Sequence, residues 1–252
     1  MTGLRRVNAT RYVAPLREGG SLPGLVEADD DGLYVMKFRG AGQGPGALVA
    51  EVIAGELARS LGLPVPELVV AELDADLARA EPDPEIQELA DASVGANLGV
   101  DFLPGALPFT QAALDALSPA TAADLVWLDA LVMNVDRTPR NPNLLLWHGR
   151  TWLIDHGAAF YKQHGEAPLA DSATAAFPNI AEHVALPRAW SILEADARLA
   201  GLALAAVERA VTLVPDEWLA DPEARRADFA AFLTGRLAEP RRFAQEAEHA
   251  RT

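Results

Sequence analysis

Residues 131–160 read LVMNVDRTPRNPNLLLWHGRTWLIDHGAAF. Asp136 precedes Asn141 by five positions, and two short apolar runs follow, at 143–147 and 151–154. Between the runs stands His148-Gly149-Arg150, a turn-like tripeptide, and directly after them comes Asp155. The pattern predicts an acidic loop, a β-hairpin and a second carboxylate at the hairpin's far end. Because a hairpin folds back on itself, Asp155 is expected to return close to Asn141. Two carboxylates and an amide oxygen then converge. Phosphoryl transfer uses such a set, with one acid orienting the attacking hydroxyl and oxygen ligands holding Mg²⁺.

Lys37 is the second pillar. Of the 21 basic residues only Lys37 and Lys162 are lysines, and Lys37 sits inside the apolar run YVMKF. A charge there is costly unless paired. An edge-strand lysine pointing outward is the simple reading, and a cleft ammonium on nucleotide phosphates is the functional one. Glu51 lies near the start of a helix marked by Leu48, Val52, Ile53, Leu57 and Leu61, which ends at Gly62 and Pro64. A strand lysine paired with a glutamate of the next helix is a positioning device of kinase folds. Glu56 competes for that role from a different helical face and otherwise reads as a solvated acid.

Neither glycine-rich stretch gives a Walker or a dinucleotide-binding fingerprint. Residues 18–24, EGGSLPG, form the better phosphate-covering loop, with Gly20 and Ser21 as donors, and residues 40–46 read as a mobile connector. Arg39 reads equally as a phosphate contact or an outward surface arginine. Asn143 is expected near the site or as a turn cap, and His156 as a packed residue. The five histidines show no metal-ligand spacing, so zinc is not expected.

Over the whole chain of 252 residues, half are apolar and 23% are charged, the composition of a globular protein. There is no cysteine, which rules out a disulfide framework and fits a cytoplasmic setting. No signal peptide or membrane span is visible. The net charge of −15 argues against general nucleic-acid binding. Nine acids against one arginine in residues 67–91 read as a solvated helix-and-loop surface.

Strands are expected at 7–13, 33–39 and 68–71, with 97–103 an extended connector. Helices are expected in the acidic segment and at 123–133, 188–193, 205–214 and 222–236, ahead of a polar tail at 241–252 that frays. A β-rich first hundred residues and a helical remainder predict an α+β, two-lobed domain over 1–240, divided near 103.

With these residues in place, the chain resembles the HipA-like kinases, most closely their compact group. YVMKFRGAGQG, ALVAEVIAGELARSLGLPVPE, NLGVDFLPGALPF, NVDRTPRN and LIDHGAAF carry the likeness across about residues 5–235. NVDRTPRN followed by IDHG also looks like the catalytic segments of phosphoinositide-type kinases, which share the fold. The resemblance implies a bilobal protein-kinase-like fold and ATP with Mg²⁺ as cofactors. By it, Lys37 binds phosphates, Glu51 pairs with Lys37 and Asp136 is the catalytic base. Asn141 and Asp155 hold the metal, and residues 97–103, including Gly99, Val100 and Asp101, form the adenine hinge. The chain departs from the pattern at Gly46, where a basic residue is usual, and at His156, where phenylalanine is. The expected activity is phosphorylation of a protein serine or threonine. Alternatives are a small-molecule or lipid-headgroup kinase, a nucleotide-binding pseudokinase scaffold, and a helical adaptor without nucleotide.

Overall fold

Alternation along the N-terminal strands sorts their side chains into two environments. In the computed structural model, which describes residues 3–16, 22–42, 44–79 and 83–252, β1 (Arg6–Pro15), β2 (Gly24–Ala28) and β3 (Leu33–Lys37) run as an antiparallel meander. Helix α1 (Pro45–Ser60) follows, then β4 (Leu68–Leu73), the short helices α2 (Ala75–Arg79) and α3 (Pro84–Asp91), and β5 (Gly95–Asp101). The five strands close into a barrel in the order β1-β2-β3-β5-β4, with β4 running parallel to β1. Tyr34 and Met36 point into the barrel with Val26, Val69 and Ala71. Their neighbours Val35 and Lys37 therefore face the other way, out of the barrel.

Residues 97–103, expected as a connector, belong largely to β5, a central strand hydrogen-bonded to β3 on one side and β4 on the other. Helix α1 ends as expected, with Leu61 as its C-cap and Gly62 at φ +82°. Its buried positions run without a break from Leu48 to Ala58, because it packs on the barrel side and also on a helix of the second lobe.

A short strand, β6 (Leu107–Pro108), leads out of the first lobe. Helix α4 (Pro119–Val132) is capped by the Ser118 side chain, which accepts from the Thr121 N–H at 3.0 Å. β7 (Leu144–Trp147) and β8 (Arg150–Leu153) form the expected hairpin, and β6 extends it to three strands. His148 at φ +47° and Gly149 at φ +72° make the two-residue turn; both angles are positive, as a type I′ turn needs.

The expected helices at 188–193 and 205–214 are instead a 3-10 turn at Leu186–Arg188 and one long helix, α5 (Ile192–Thr212). Ser191 caps α5, and the alanine- and leucine-rich middle carries it through. α6 (Pro222–Leu237) stands where expected. The polar C-terminal residues, expected to fray, form α7 (Arg242–Arg251), with Phe243 buried edge-on to Trp127 at 5.4 Å between centroids. The two lobes also meet through Trp218, whose indole N–H donates to the Ala96 carbonyl of β5 at 3.0 Å. Among the described residues, no helix is long and apolar enough to cross a membrane.

Candidate active site

A cleft of about 640 Å³ opens between the barrel and the hairpin. Val35 and Val100 line it from the barrel, Val65 and Leu68 from β4 and the chain before it, and Leu145 and Leu153 from the hairpin. Its polar end is formed by Lys37, Glu51 and Asp155. An apolar slot ending in a cation and carboxylates suits a flat base joined to phosphates.

Strand alternation delivers Lys37 to this end. Its ammonium donates to the Glu51 carboxylate and, at 2.8 Å, to Asp155 Oδ1. Burial works against the lysine's charge, but Glu51 and Asp155 outweigh it and hold its pKa well above the usual lysine range. Glu51 is 2% exposed. Burial likewise opposes its ionisation, yet Lys37 and His156 keep its pKa well below the usual carboxylate range. Glu51 also accepts the backbone N–H of His156 at 2.8 Å and of Gly157 at 3.0 Å. One carboxylate therefore fixes both the lysine and the backbone just after Asp155.

Glu56 does not reach Lys37. It is buried rather than solvated, with Arg59 at 3.4 Å and Arg209 at 4.0 Å. His156 is packed as expected, 1% exposed, with Nδ1 3.5 Å from Glu51.

Asp136 anchors a second group. Its Oδ2 accepts from the Asn141 amide at 2.7 Å and from the Asn143 amide at 3.2 Å. Asn143 is thus a member of the site, placed there by a left-handed backbone (φ +50°) that asparagine tolerates. The hairpin closes with the Ile154 N–H donating to the Asn143 carbonyl at 3.1 Å. This bond links the two groups, since Ile154 precedes Asp155 and Asn143 follows closely on Asn141. Asp155 adopts φ +56°, a left-handed backbone that aspartate, like asparagine, tolerates at a turn.

The oxygens fit a hard cation. Asn141 offers Oδ1 while its amide nitrogen is committed to Asp136. The Asp155 side chain is 46% exposed, and only its Oδ1 is bonded to Lys37. Two such oxygens match the protein share of a Mg²⁺ site completed by phosphates and water. No group of three or more His, Cys, Asp or Glu side chains makes a metal cage among the described residues.

Of the expected hinge residues, Val100 and Asp101 line the cleft, and the lining continues through Phe102 and Leu103 to Ala106. Gly99 does not face the cleft. It points into the barrel, where a Cβ would come within 2.7 Å of Val69 Cγ2, so this glycine serves strand packing. Burial raises the Asp101 carboxyl, and Glu67 adds to the effect. Gly20 and Ser21 lie outside the described residues. Gly46 rests against the His164 ring. Arg39 lies over Gly95, away from the polar end of the cleft.

Asp129 and Arg137, both buried, are further polar residues of this region not expected from the sequence. Arg137 gave no signal in its polar loop. Asp129 did, as an acid inside an apolar helix with a basic residue eight positions on.

A β-rich lobe, a helical lobe and a lysine–carboxylate cleft between them define a bilobal kinase-like fold. The HipA-like kinase family model matches residues 10–244, and the chain belongs to that family of kinase-type phosphotransferases. A proinflammatory kinase of Helicobacter pylori, CtkA, superposes with a TM-score of 0.59 at 13% identity, covering 97% of this chain and 96% of that one. The Golgi casein kinase, solved with Mn/ADP bound, gives a TM-score of 0.48 at 14% identity over 94% of this chain and 73% of that one. No curated protein sequence matches the chain.

Proposed function

We propose that the protein transfers the γ-phosphate of ATP, with Mg²⁺, to a hydroxyl on a protein serine or threonine. The observation that carries this is the cleft itself, where Lys37 is held between Glu51 and Asp155 at the end of an apolar slot. Lys37 neutralises phosphate oxygens, and Glu51 keeps it in place. Asp155 and Asn141 hold the metal, which shields the phosphate charge. Asp136 accepts the proton of the attacking hydroxyl through Oδ1, the oxygen its amide partners leave free. A hollow of about 840 Å³ beside the Asp136 loop offers room for an acceptor. It is bordered by Thr138, Pro139 and Arg140 of the same loop and by Glu182 and Arg251.

Mg²⁺-ATP is expected to raise the melting temperature, and Asp155→Ala to abolish most of that rise while leaving the nucleotide-free protein folded. A wild-type protein that shows no shift at millimolar Mg²⁺-ATP would sink the nucleotide reading. Labelled ATP incubated with protein, lipid and small-molecule fractions of a lysate then identifies the acceptor. Label confined to lipid or small molecules would remove the protein acceptor.

A further inference from the structure

The Arg137 side chain is fully enclosed, yet it follows directly on Asp136 in a loop otherwise half-exposed. Its Nε donates to Asp129 Oδ2 at 2.5 Å, below the end of α4. Nη1 donates to the backbone carbonyl of Asn143 at 2.5 Å and to that of Ile154 at 3.2 Å. The Asp129 carboxylate is itself fixed, by His183 Nε2 at 2.8 Å and by the Asn134 amide at 3.1 Å. The Arg137 carbonyl accepts from the Val184 N–H at 3.0 Å.

The two carbonyls are not arbitrary. Asn143 is the residue whose amide holds Asp136, and Ile154 is the residue before Asp155. A core ion pair alone needs only Asp129. Here a planar fork spans from that counterion to both strands of the hairpin at their root, a reach a lysine's point charge cannot copy.

We propose that Arg137 is a positioning residue for phosphoryl transfer. It locks the loop of Asp136 and the hairpin end bearing Asp155 into one frame, so that base and metal carboxylate keep a fixed separation. This rests on the roles given above to Asp136 and Asp155. Misplacement of such groups by about 1 Å costs on the order of 10²-fold in rate.

The test measures ADP release by the full chain as a function of ATP and Mg²⁺, using water as acceptor so that no substrate need be known. Arg137→Lys is expected to lower kcat at least tenfold and to raise the half-saturating Mg²⁺ concentration at least threefold, with KM for ATP within twofold of wild type. Phe243→Leu, a core truncation outside the loop and hairpin, sets the comparison. At a similar loss of melting temperature it should keep wild-type kcat and Mg²⁺ dependence. The double variant Arg137→Gln/Asp129→Asn removes both buried charges together and so remains foldable if the lysine variant does not. It should show the same loss.

Wild-type kcat and Mg²⁺ dependence in either Arg137 variant would overturn the proposal while leaving the kinase reading intact. A rate loss in Phe243→Leu equal to theirs would reduce Arg137 to a stabilising residue and overturn it as well. A wild-type chain with neither ADP release nor stabilisation by Mg²⁺-ATP would overturn both readings at once.

Discussion

Asp136→Ala is expected to lower kcat by about 10²–10⁴-fold, the range for loss of a general base. KM for ATP should move little, because in the proposed roles Asp136 serves the acceptor hydroxyl and not the nucleotide, and its observed bonds stay within its own loop. Asp136→Asn should lose nearly as much, since it keeps the shape and removes the proton acceptor. The measurement is initial-rate transfer from labelled ATP at saturating Mg²⁺, with melting curves confirming that both variants fold. Turnover of Asp136→Ala within threefold of wild type would take Asp136 out of the chemistry. Residual nucleotide binding with no transfer in the wild type as well would point to a scaffold.

The second large effect is on stability. Asp129→Ala leaves the Arg137 guanidinium buried without its counterion and takes away the partner of His183 and the Asn134 amide. Breaking a buried pair from one side costs about 3–5 kcal/mol, a large part of a domain's total. The pH dependence follows from the same contacts. Burial alone would raise the Asp129 pKa, but Arg137 and His183 overcome it and hold it well below 3.8, its unperturbed value. A depressed folded-state pKa means the contribution is full above about pH 4 and drains away as pH falls through the folded value. Chemical denaturation should therefore show the wild-type advantage over Asp129→Ala shrinking only in acid. An equal gap at pH 3 and pH 7 would contradict this.

Much of the site could be read from the chain because it rests on local rules. A glycine-bearing turn, His148-Gly149-Arg150, between two short apolar runs reads as a hairpin, and a hairpin brings Asp155 back toward Asn141. Lys37 stood out because a charge within YVMKF needs a partner, and Glu51 lay on the next helix. What escaped depends on contacts remote in sequence. Glu56 looks solvated in a helix read alone, and only the approach of α5, with Arg209, encloses it. Residues 97–103 look like a connector because Gly99 and Asn97 are poor strand formers. Gly99 is there for Val69 and Ala71 on the neighbouring strand β4, and Asn97 for the Arg39 N–H and two carbonyls. The C-terminal helix needs only Phe243, Ala244 and Ala247 inside, too thin an apolar stripe to announce itself. Arg137 was hidden by its polar neighbours, although Asp129 was waiting for it.

Helix α1 has no solvent-facing side over its central turns, since the barrel holds one flank and α5 the other. Swinging it outward enough to bare about 300 Å² of apolar surface would cost about 7 kcal/mol at roughly 25 cal/mol per Å², comparable to the stability of a whole domain. Glu51 rides on that helix, so drawing it away from Lys37 would carry that cost. On the proposed kinase role, restraint would then fall to whatever blocks the cleft or supplies the acceptor.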